Sequence, residues 1–128
     1  MRKLLKVLLS TIFLMGLAYS IAGNAMKDDP SEMGQAFNKF NIFAKEESKY
    51  VKIDNSNAHD EYGYGNYEYD LKSYDSAGQA HPLKFTGMGK LKQGRYLELD
   101  TKGTYVITYR EVFEKDLPNG VYQKLNLQ

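Results

Sequence analysis

Two kinds of apolar pattern follow each other along the chain: one long apolar run near the start, and short alternations of apolar and polar residues after residue 48. The run is preceded by three cations, Arg2, Lys3 and Lys6. Residues 7–22 are almost wholly apolar, and the small residues Gly23 and Ala25 come next. A basic start, an apolar middle and a small-residue end are the three parts of a signal peptide. Residues 1–25 are therefore predicted to be a signal peptide or a membrane anchor.

The length of this run leaves both cleavage and retention open. The stretch from Val7 to Ala25 approaches the roughly 20 residues that cross a hydrocarbon core, whereas the small residues at its end favour cleavage after Ala25. In both cases the cations at the start keep the N terminus in the cytoplasm, so the body is exported. We expect a protein that is secreted, or that is anchored at the outer face of the cytoplasmic membrane through residues 1–25.

Residues 26–47 are polar with scattered apolar side chains, and they are predicted to be a partly ordered spacer. Ser31-Glu32 is a possible helix start, although Gly34 and two asparagines argue against a long helix. The apolar residues of this segment form either one side of a short helix or an irregular cover for the domain that follows: Phe37, Phe40, Ile42 and Phe43.

Strand patterns then recur about every dozen residues, with turn formers between them. They are predicted at 49–54, at 66–75, around Pro82 to Phe85, at 95–100 and at 104–112. Alternation places one set of side chains on a common face, namely Val51, Ile53, Tyr67, Tyr69, Leu71, Leu97 and Leu99. Short strands at this spacing are typical of a small sandwich or barrel. A short helix that would plug one end of it is predicted from three apolar residues four apart, Leu117, Val121 and Leu125.

Composition supports a mainly β body without a nucleic-acid site. The chain has 11 Tyr and 6 Phe, residue types that are enriched in strands. Three of the 17 Lys and Arg precede the apolar run while all 16 Asp and Glu follow it, so the body has a net charge of −2. A body without a basic patch is not expected to bind DNA or RNA. The absence of Cys excludes disulfides, a thiol nucleophile and a lipid-modified cysteine.

The histidines are the natural place to look for a metal or cofactor. His59-Asp60-Glu61 groups an imidazole with two carboxylates, but consecutive loop residues point in different directions, and His81 stands apart beside Pro82. A calcium loop that begins at Asp54 would place His59 where a glycine is required. We therefore predict no metal and no cofactor.

Catalysis is not indicated either. The serines of the body, at positions 31, 48, 56, 73 and 76, lie in no recognisable nucleophile context. A carboxylate pair of the glycosidase type remains open among 16 acids, but so short a chain lacks the deep cleft that usually raises the pKa of one carboxyl. The chain is predicted not to be an enzyme and to have no catalytic residues, with a small hydrolase as the least favoured alternative.

Clustered tyrosines supply the one candidate binding feature. Tyr67 and Tyr69 share their alternation phase with Leu71, so they are expected to pack in the sheet. Tyr62 and Tyr64 instead lie in a glycine-rich loop, where exposed rings could stack on a sugar or grip a peptide. These two are the predicted ligand-binding residues.

Several strand positions together resemble the YxeA family. The first half of the pattern is Tyr50-Val51-Lys52-Ile53, Tyr67, Tyr69, Leu71, Tyr74-Asp75, Gly78, Leu83 and Phe85. The second half is Leu91, Gly94-Arg95-Tyr96-Leu97, Leu99, Tyr109-Arg110-Glu111-Val112 and Asp116-Leu117-Pro118. The similarity covers roughly residues 49–125 and the apolar N terminus. This chain departs from the family pattern in its long polar spacer and in Asn119-Gly120.

The resemblance implies a small five-stranded, OB-like barrel, exported or anchored in Firmicutes-type bacteria, with no known catalytic residues. Residues 48–128 are assigned to this barrel. From the export pattern, the barrel and the aromatic loop, our leading hypothesis is a non-catalytic binding module of the cell envelope whose partner is a glycan or a peptide. The second hypothesis is an accessory or immunity-like protein that docks onto a membrane protein through a sheet edge.

Overall fold

The predicted alternations form one antiparallel sheet in the computed structural model, which describes residues 1–127. Gln128, the last residue assigned to the barrel, lies outside the described residues. Two helices come first, α1 at Arg2–Met26 and α2 at Glu32–Asn38. The strands are β1 at Glu46–Lys52, β2 at Ala58–His59, β3 at Tyr67–Asp75, β4 at Ala80–Gly87, β5 at Tyr96–Lys102 and β6 at Tyr105–Val112. A last helix, α3, spans Val121–Asn126. The five predicted strands and the C-terminal helix are therefore all present, with β2 as an additional short strand.

The long strands follow each other across the sheet in the order β4-β3-β1-β5-β6. The short strand β2 pairs with β3 on the edge that faces away from β4. A turn at Asp75–Gln79 joins β3 to β4, and the two residues Gly103 and Thr104 join β5 to β6. The sheet curls into a half-barrel, so that β4 and β6 face each other without pairing. The prediction of a mainly β, barrel-like fold with a terminal helix at each end is confirmed, and the barrel is open along one side.

One face of the curled sheet forms the main core. Its buried members come from β1 and the residue after it, and from β3, β4 and β5: Val51, Ile53, Tyr69, Leu71, Leu83, Phe85, Leu97 and Leu99. These residues have the phase predicted from the alternation. Burying each large apolar side chain contributes about 1.5–3 kcal/mol, so this face supplies most of the stability of the sheet.

The opposite face carries a second, smaller core beneath α3. Tyr50 and Tyr74 pack there against Val121 and Leu125, with Tyr96 at the margin. The helix starts after Gly120, whose φ of +85° is a conformation that glycine adopts without steric cost. The C-terminal helix therefore covers the outside of the sheet and does not plug the end of the barrel as predicted, because its apolar residues meet the tyrosines that point away from the main core.

Residues 26–45 lie against the end of the half-barrel. The side chains of Asn38 and Asn41 are fully buried, and Asn38 Nδ2 donates to Thr104 Oγ1 at 2.7 Å and to the carbonyl of Met26 at 2.9 Å. Gly103 is pressed against this segment, since a Cβ there would lie 2.8 Å from the carbonyl oxygen of Lys27. The segment predicted to be a partly ordered spacer thus contributes a helix and two buried amides to the domain.

Candidate functional site

The open side of the half-barrel forms a groove of about 430 Å³. We define the β4–β6 groove by its walls, Lys84 to Thr86 and Met88 on one side and Val106 to Tyr109 on the other, with Glu32 and Gln35 of α2 at the rim. Pockets of a few hundred cubic ångströms are the usual size of ligand sites. The groove is thus large enough to hold a short segment of another molecule.

The floor of the groove is aromatic. The rings of Phe85 and Tyr109 lie 5.6 Å apart at an angle of 53°, and they connect the two facing strands through their side chains. Phe85 is 5% exposed, whereas Ile107 and Met88 are 52% and 92% exposed. The Tyr109 hydroxyl accepts a long hydrogen bond from the backbone N–H of Met88 at 3.4 Å. An apolar floor with two exposed apolar side chains above it offers contacts to an apolar ligand group.

The walls of the groove are strand edges. Among the described residues, β4 pairs with β3 and β6 pairs with β5, and neither has a partner on its other side. Alternate residues of a strand direct their N–H and C=O groups to the same edge. Lys84 directs its carbonyl outward, because Gln35 Nε2 donates to that oxygen at 3.1 Å. Thr86, two residues on, therefore directs its backbone groups to the same edge.

Proline at position 82 agrees with the edge assignment of β4. Pro82 has the same phase as Lys84 and would place its missing N–H on the open edge, where no ladder hydrogen bond is lost. The sequence contained this indication, but it did not show that the edge of β4 would face the edge of β6. The groove was therefore missed from the sequence.

The predicted ligand-binding residues lie in a separate loop. Tyr62 and Tyr64 are 75% and 81% exposed, and their rings stack with centroids 6.2 Å apart. The carboxylate of Asp60 shapes the loop by accepting the backbone N–H groups of Tyr64 and Gly65, at 3.2 and 2.9 Å. The exposure agrees with the expectation for this loop, and its binding role stays a prediction.

The two histidines have different surroundings. His59 is exposed in β2, whereas His81 lies at the inner face of β4, where its Nε2 is 2.9 Å from Asp75 Oδ2. His81, Asp75 and Glu47 each offer a donor atom, and these atoms lie within 4.8 Å of one another. The three residues lie on three different strands, and each has the same alternation phase as the core residues of its own strand.

Lys49 lies beside these three residues, and together the four side chains form a polar layer. The side chain of Lys49 is almost fully buried, and its Nζ donates to the carbonyl of Gly103 at 2.6 Å and lies 4.0 Å from Glu47 Oε1. Burial lowers the pKa of this ammonium, and the negative charges of Glu47, Asp28 and Asp75 oppose the shift. The carboxylates therefore already have a cation supplied by the chain, which favours a structural role over a metal site.

The carboxylate of Asp75 has three hydrogen-bond partners, the His81 ring and two backbone N–H groups. Burial raises the pKa of Asp75, but the hydrogen bond with His81 and the backbone N–H groups of Gln79 and Ala77 outweigh burial, so the pKa lies below its ordinary value. The two backbone bonds, at 2.9 and 3.0 Å, close the turn between β3 and β4. The prediction of no metal and no catalytic residue stays a prediction.

Comparison with known proteins agrees with the architecture. Residues 42–115 match a family described as a protein of unknown function, DUF1093. The chain is 34% identical over 87 residues to the uncharacterized protein YxeA of Bacillus subtilis strain 168. The matched region covers 68% of this chain and 74% of that protein.

Two solved structures are similar to the chain. A crystal structure of a DUF1093 family protein from Bacillus subtilis has a TM-score of 0.59 and 34% identity, covering 67% of this chain and 97% of that one. A solution structure of a membrane associated protein from Bacillus cereus has a TM-score of 0.47 and 28% identity, covering 65% and 86% of the two chains. The resemblance found in the strand residues is confirmed, and the chain belongs to the DUF1093 family.

Proposed function

We propose that this protein is a non-catalytic binding module of the cell envelope that takes an extended peptide segment into the β4–β6 groove. The observation that carries the proposal is the pair of strand edges that face each other across an apolar floor. An extended peptide can add to an exposed edge through main-chain hydrogen bonds while alternate side chains enter pockets. A peptide between β4 and β6 would pair with both edges and close the barrel, sharing the Lys84 carbonyl with Gln35 or displacing that amide.

The lining of the groove fits a peptide better than a small charged ligand. Phe85, Val106 and Tyr109 form an apolar floor for every second side chain of a bound strand. Glu32, Glu68 and Lys84 also line the groove, so it carries charges of both signs that can set the direction of a bound peptide. We infer that the ligand has alternating apolar residues and little net charge.

The N-terminal pattern supports a ligand outside the cytoplasm. One helix, α1, is long and apolar enough to cross a membrane by its length and composition. The cations at its start favour a cytoplasmic N terminus, which would place the groove on the outer side. We infer that the peptide belongs to a secreted protein or to the outer part of a membrane protein, in agreement with the hypothesis of docking through a sheet edge.

Glycan binding by the Tyr62–Tyr64 loop is the second candidate. It rests on the two stacked and exposed rings, which offer apolar faces of the kind that stack on sugars. The two candidates use different parts of the molecule, so one experiment can separate them.

The test is an NMR titration of the full chain in detergent micelles. The probes are a peptide of about seven alternating valines and threonines, a length typical of strands, the same peptide with N-methylated backbone, and a muropeptide disaccharide. N-methylation keeps the side chains but removes the N–H donors, so it isolates strand addition from simple hydrophobic contact.

We expect saturable amide shifts at Lys84, Thr86 and Ile107 with the unmodified peptide. These shifts should disappear with the N-methylated peptide and in an Ile107→Glu variant, and they should persist in the matched double variant Tyr62→Ala/Tyr64→Ala. Shifts confined to the tyrosine loop with the disaccharide would establish the second candidate instead. A groove that shows no shift with the unmodified peptide would refute the proposal.

A further inference from the structure

The last turns of α1 are packed into the body of the protein. Gly23 is buried, and a Cβ at this position would lie 2.6 Å from the ring of Phe43 and 2.7 Å from Asn41 Oδ1. Asn41, which is fully buried, donates from Nδ2 to the carbonyl of Gly23 at 2.8 Å. Cleavage after Ala25 would remove this acceptor together with the helix surface that covers Asn41 and Phe43, so these contacts stabilise the body only while α1 is retained.

A second contact is made one turn earlier by Tyr19. Its ring lies 5.9 Å from Phe37 and 6.1 Å from Phe43. Its hydroxyl donates to the carbonyl of Phe40 at 2.9 Å and accepts the backbone N–H of Ile42 at 3.1 Å. The loop at residues 40–42 is thereby fixed beside the helix at the level of the Tyr19 hydroxyl.

The Tyr19 hydroxyl lies beside the apolar part of α1. No charged residue occurs between Val7 and Met26, a stretch of the length that crosses a hydrocarbon core of about 30 Å. Tyr19 precedes Gly23 by four residues, or about 6 Å along the axis, and helical side chains lean toward the N terminus. The loop therefore extends back along α1, past the point where the chain leaves the helix.

The side chains at the tip of this loop have no partner in the described part of the protein. Phe40 and Ile42 are 81% and 78% exposed, whereas Asn41 between them is fully buried. Lys39 and Lys45 flank the tip in sequence; Lys39 Nζ lies 5.0 Å from the centre of the Tyr105 ring, and Lys45 Nζ, on a side chain that is 81% exposed, lies 3.8 Å from Glu47 Oε2. Apolar side chains held beside a membrane-spanning helix can be buried at the boundary between lipid headgroups and acyl chains.

We propose that α1 is retained as a membrane anchor and that Phe40 and Ile42 insert into the outer leaflet beside it. The bilayer that holds α1 is then also the surface that covers the exposed tip, and the body has a fixed orientation on the membrane. This proposal is independent of the peptide groove, since it rests on α1 and residues 37–45 alone. It favours retention over the cleavage that the small residues Gly23 and Ala25 suggest.

The depth of the tip can be measured by fluorescence because the chain has no cysteine. Single variants Phe40→Cys and Ile42→Cys are labelled with bimane in the full chain and reconstituted into vesicles of phosphatidylcholine and phosphatidylglycerol. Matched controls are Met88→Cys and Phe113→Cys, at apolar residues that are 92% and 61% exposed elsewhere on the body. Acyl-chain-brominated lipids should quench the probes at 40 and 42 and leave both controls in water. Equal quenching at all four positions would overturn the insertion.

A second variant tests whether the packing of α1 sets this depth. Gly23→Leu keeps the helix long and apolar but places a side chain where Phe43 and Asn41 lie. In the Phe40→Cys background it should abolish most of the quenching while the protein stays in the vesicles and keeps its circular dichroism. Unchanged quenching would show that the contact at Gly23 does not position the tip.

Retention itself is tested by the mass of the protein expressed in a bacterial host. We expect the membrane fraction to contain the intact chain of 14.6 kDa. A product that begins at Met26 and is released into the medium would overturn the anchor.

Discussion

The hydroxyl of Tyr69 supports a clear prediction, because it connects three segments from inside the core. Tyr69 is fully buried, and its hydroxyl donates to Asn55 Oδ1 at 2.9 Å and accepts the backbone N–H of Leu91 at 2.8 Å. Tyr69→Phe keeps the ring and its stacking on Phe85 but removes both hydrogen bonds. At about 1 kcal/mol for each neutral hydrogen bond, the variant should lose about 2 kcal/mol of unfolding free energy.

The assay is urea unfolding of the full chain in detergent, followed by circular dichroism. For a small domain with a slope of about 1 kcal/mol per molar urea, the midpoint should fall by about 2 M. Tyr67→Phe is the matched control, because Tyr67 lies on the same strand face and its hydroxyl has no hydrogen bond within residues 1–127. A loss in Tyr69→Phe of less than about 0.5 kcal/mol, the size typical of a neutral surface change, or an equal loss in the control, would refute the stabilising role of the Tyr69 hydroxyl.

Three further variants test other parts of the structure. Asp75→Asn should lose about 1.5–3 kcal/mol of unfolding free energy, the value of a charge-assisted hydrogen bond. Because the pKa of Asp75 in the folded protein lies below its ordinary value, the loss should be complete above about pH 5 and should shrink as the pH falls through the folded pKa. Urea midpoints of both proteins measured across this pH range check the prediction. Gly103→Ala should lose about 2 kcal/mol or more in thermal unfolding, because its φ is +58° and the new Cβ would meet the Lys27 carbonyl; a loss no larger than a surface change would contradict the close contact. Arg110→Ala should lose less than about 1 kcal/mol despite ion pairs with Glu98 and Asp100, because the Arg110 side chain is 52% exposed and water screens both pairs; a larger loss would show a buried network.

The groove and the anchor together describe a consistent arrangement. The proposed insertion of Phe40 and Ile42 would fix the body against the membrane, while α2 connects that region to the groove through Gln35, which bonds both Pro30 and Lys84. Each proposal has its own experiment, and the failure of one leaves the other standing.

Local pattern was sufficient where the structure depends on neighbours in the chain. Alternation in residues 49–54, 66–75 and 95–100 predicted which side chains face the core, because successive residues of a strand point to opposite faces. The apolar run before Gly23 likewise predicted a helix able to cross a membrane. Clustering of tyrosines pointed to an exposed loop at Tyr62 and Tyr64, whose role stays a prediction.

Features that depend on distant pairs were not available from the pattern. Glu47, Asp75 and His81 form a polar layer because three strands are in register, and alternation gives the face of a residue but not its neighbour on another strand. The position of α3 on the outer face was also missed, since its apolar spacing fits any apolar surface.

The sequence by itself therefore determined the elements, their inward faces, the apolar N-terminal helix and the family resemblance. Only the tertiary structure decided that β4 and β6 face each other unpaired, that Lys49 lies among carboxylates, and that Tyr19 holds the loop at residues 40–42. The physical reason is that alternation along a strand indicates which residues are buried, but not what they contact. The curl of the sheet depends on all strand pairs at once, and it determines which edges and side chains come within contact distance.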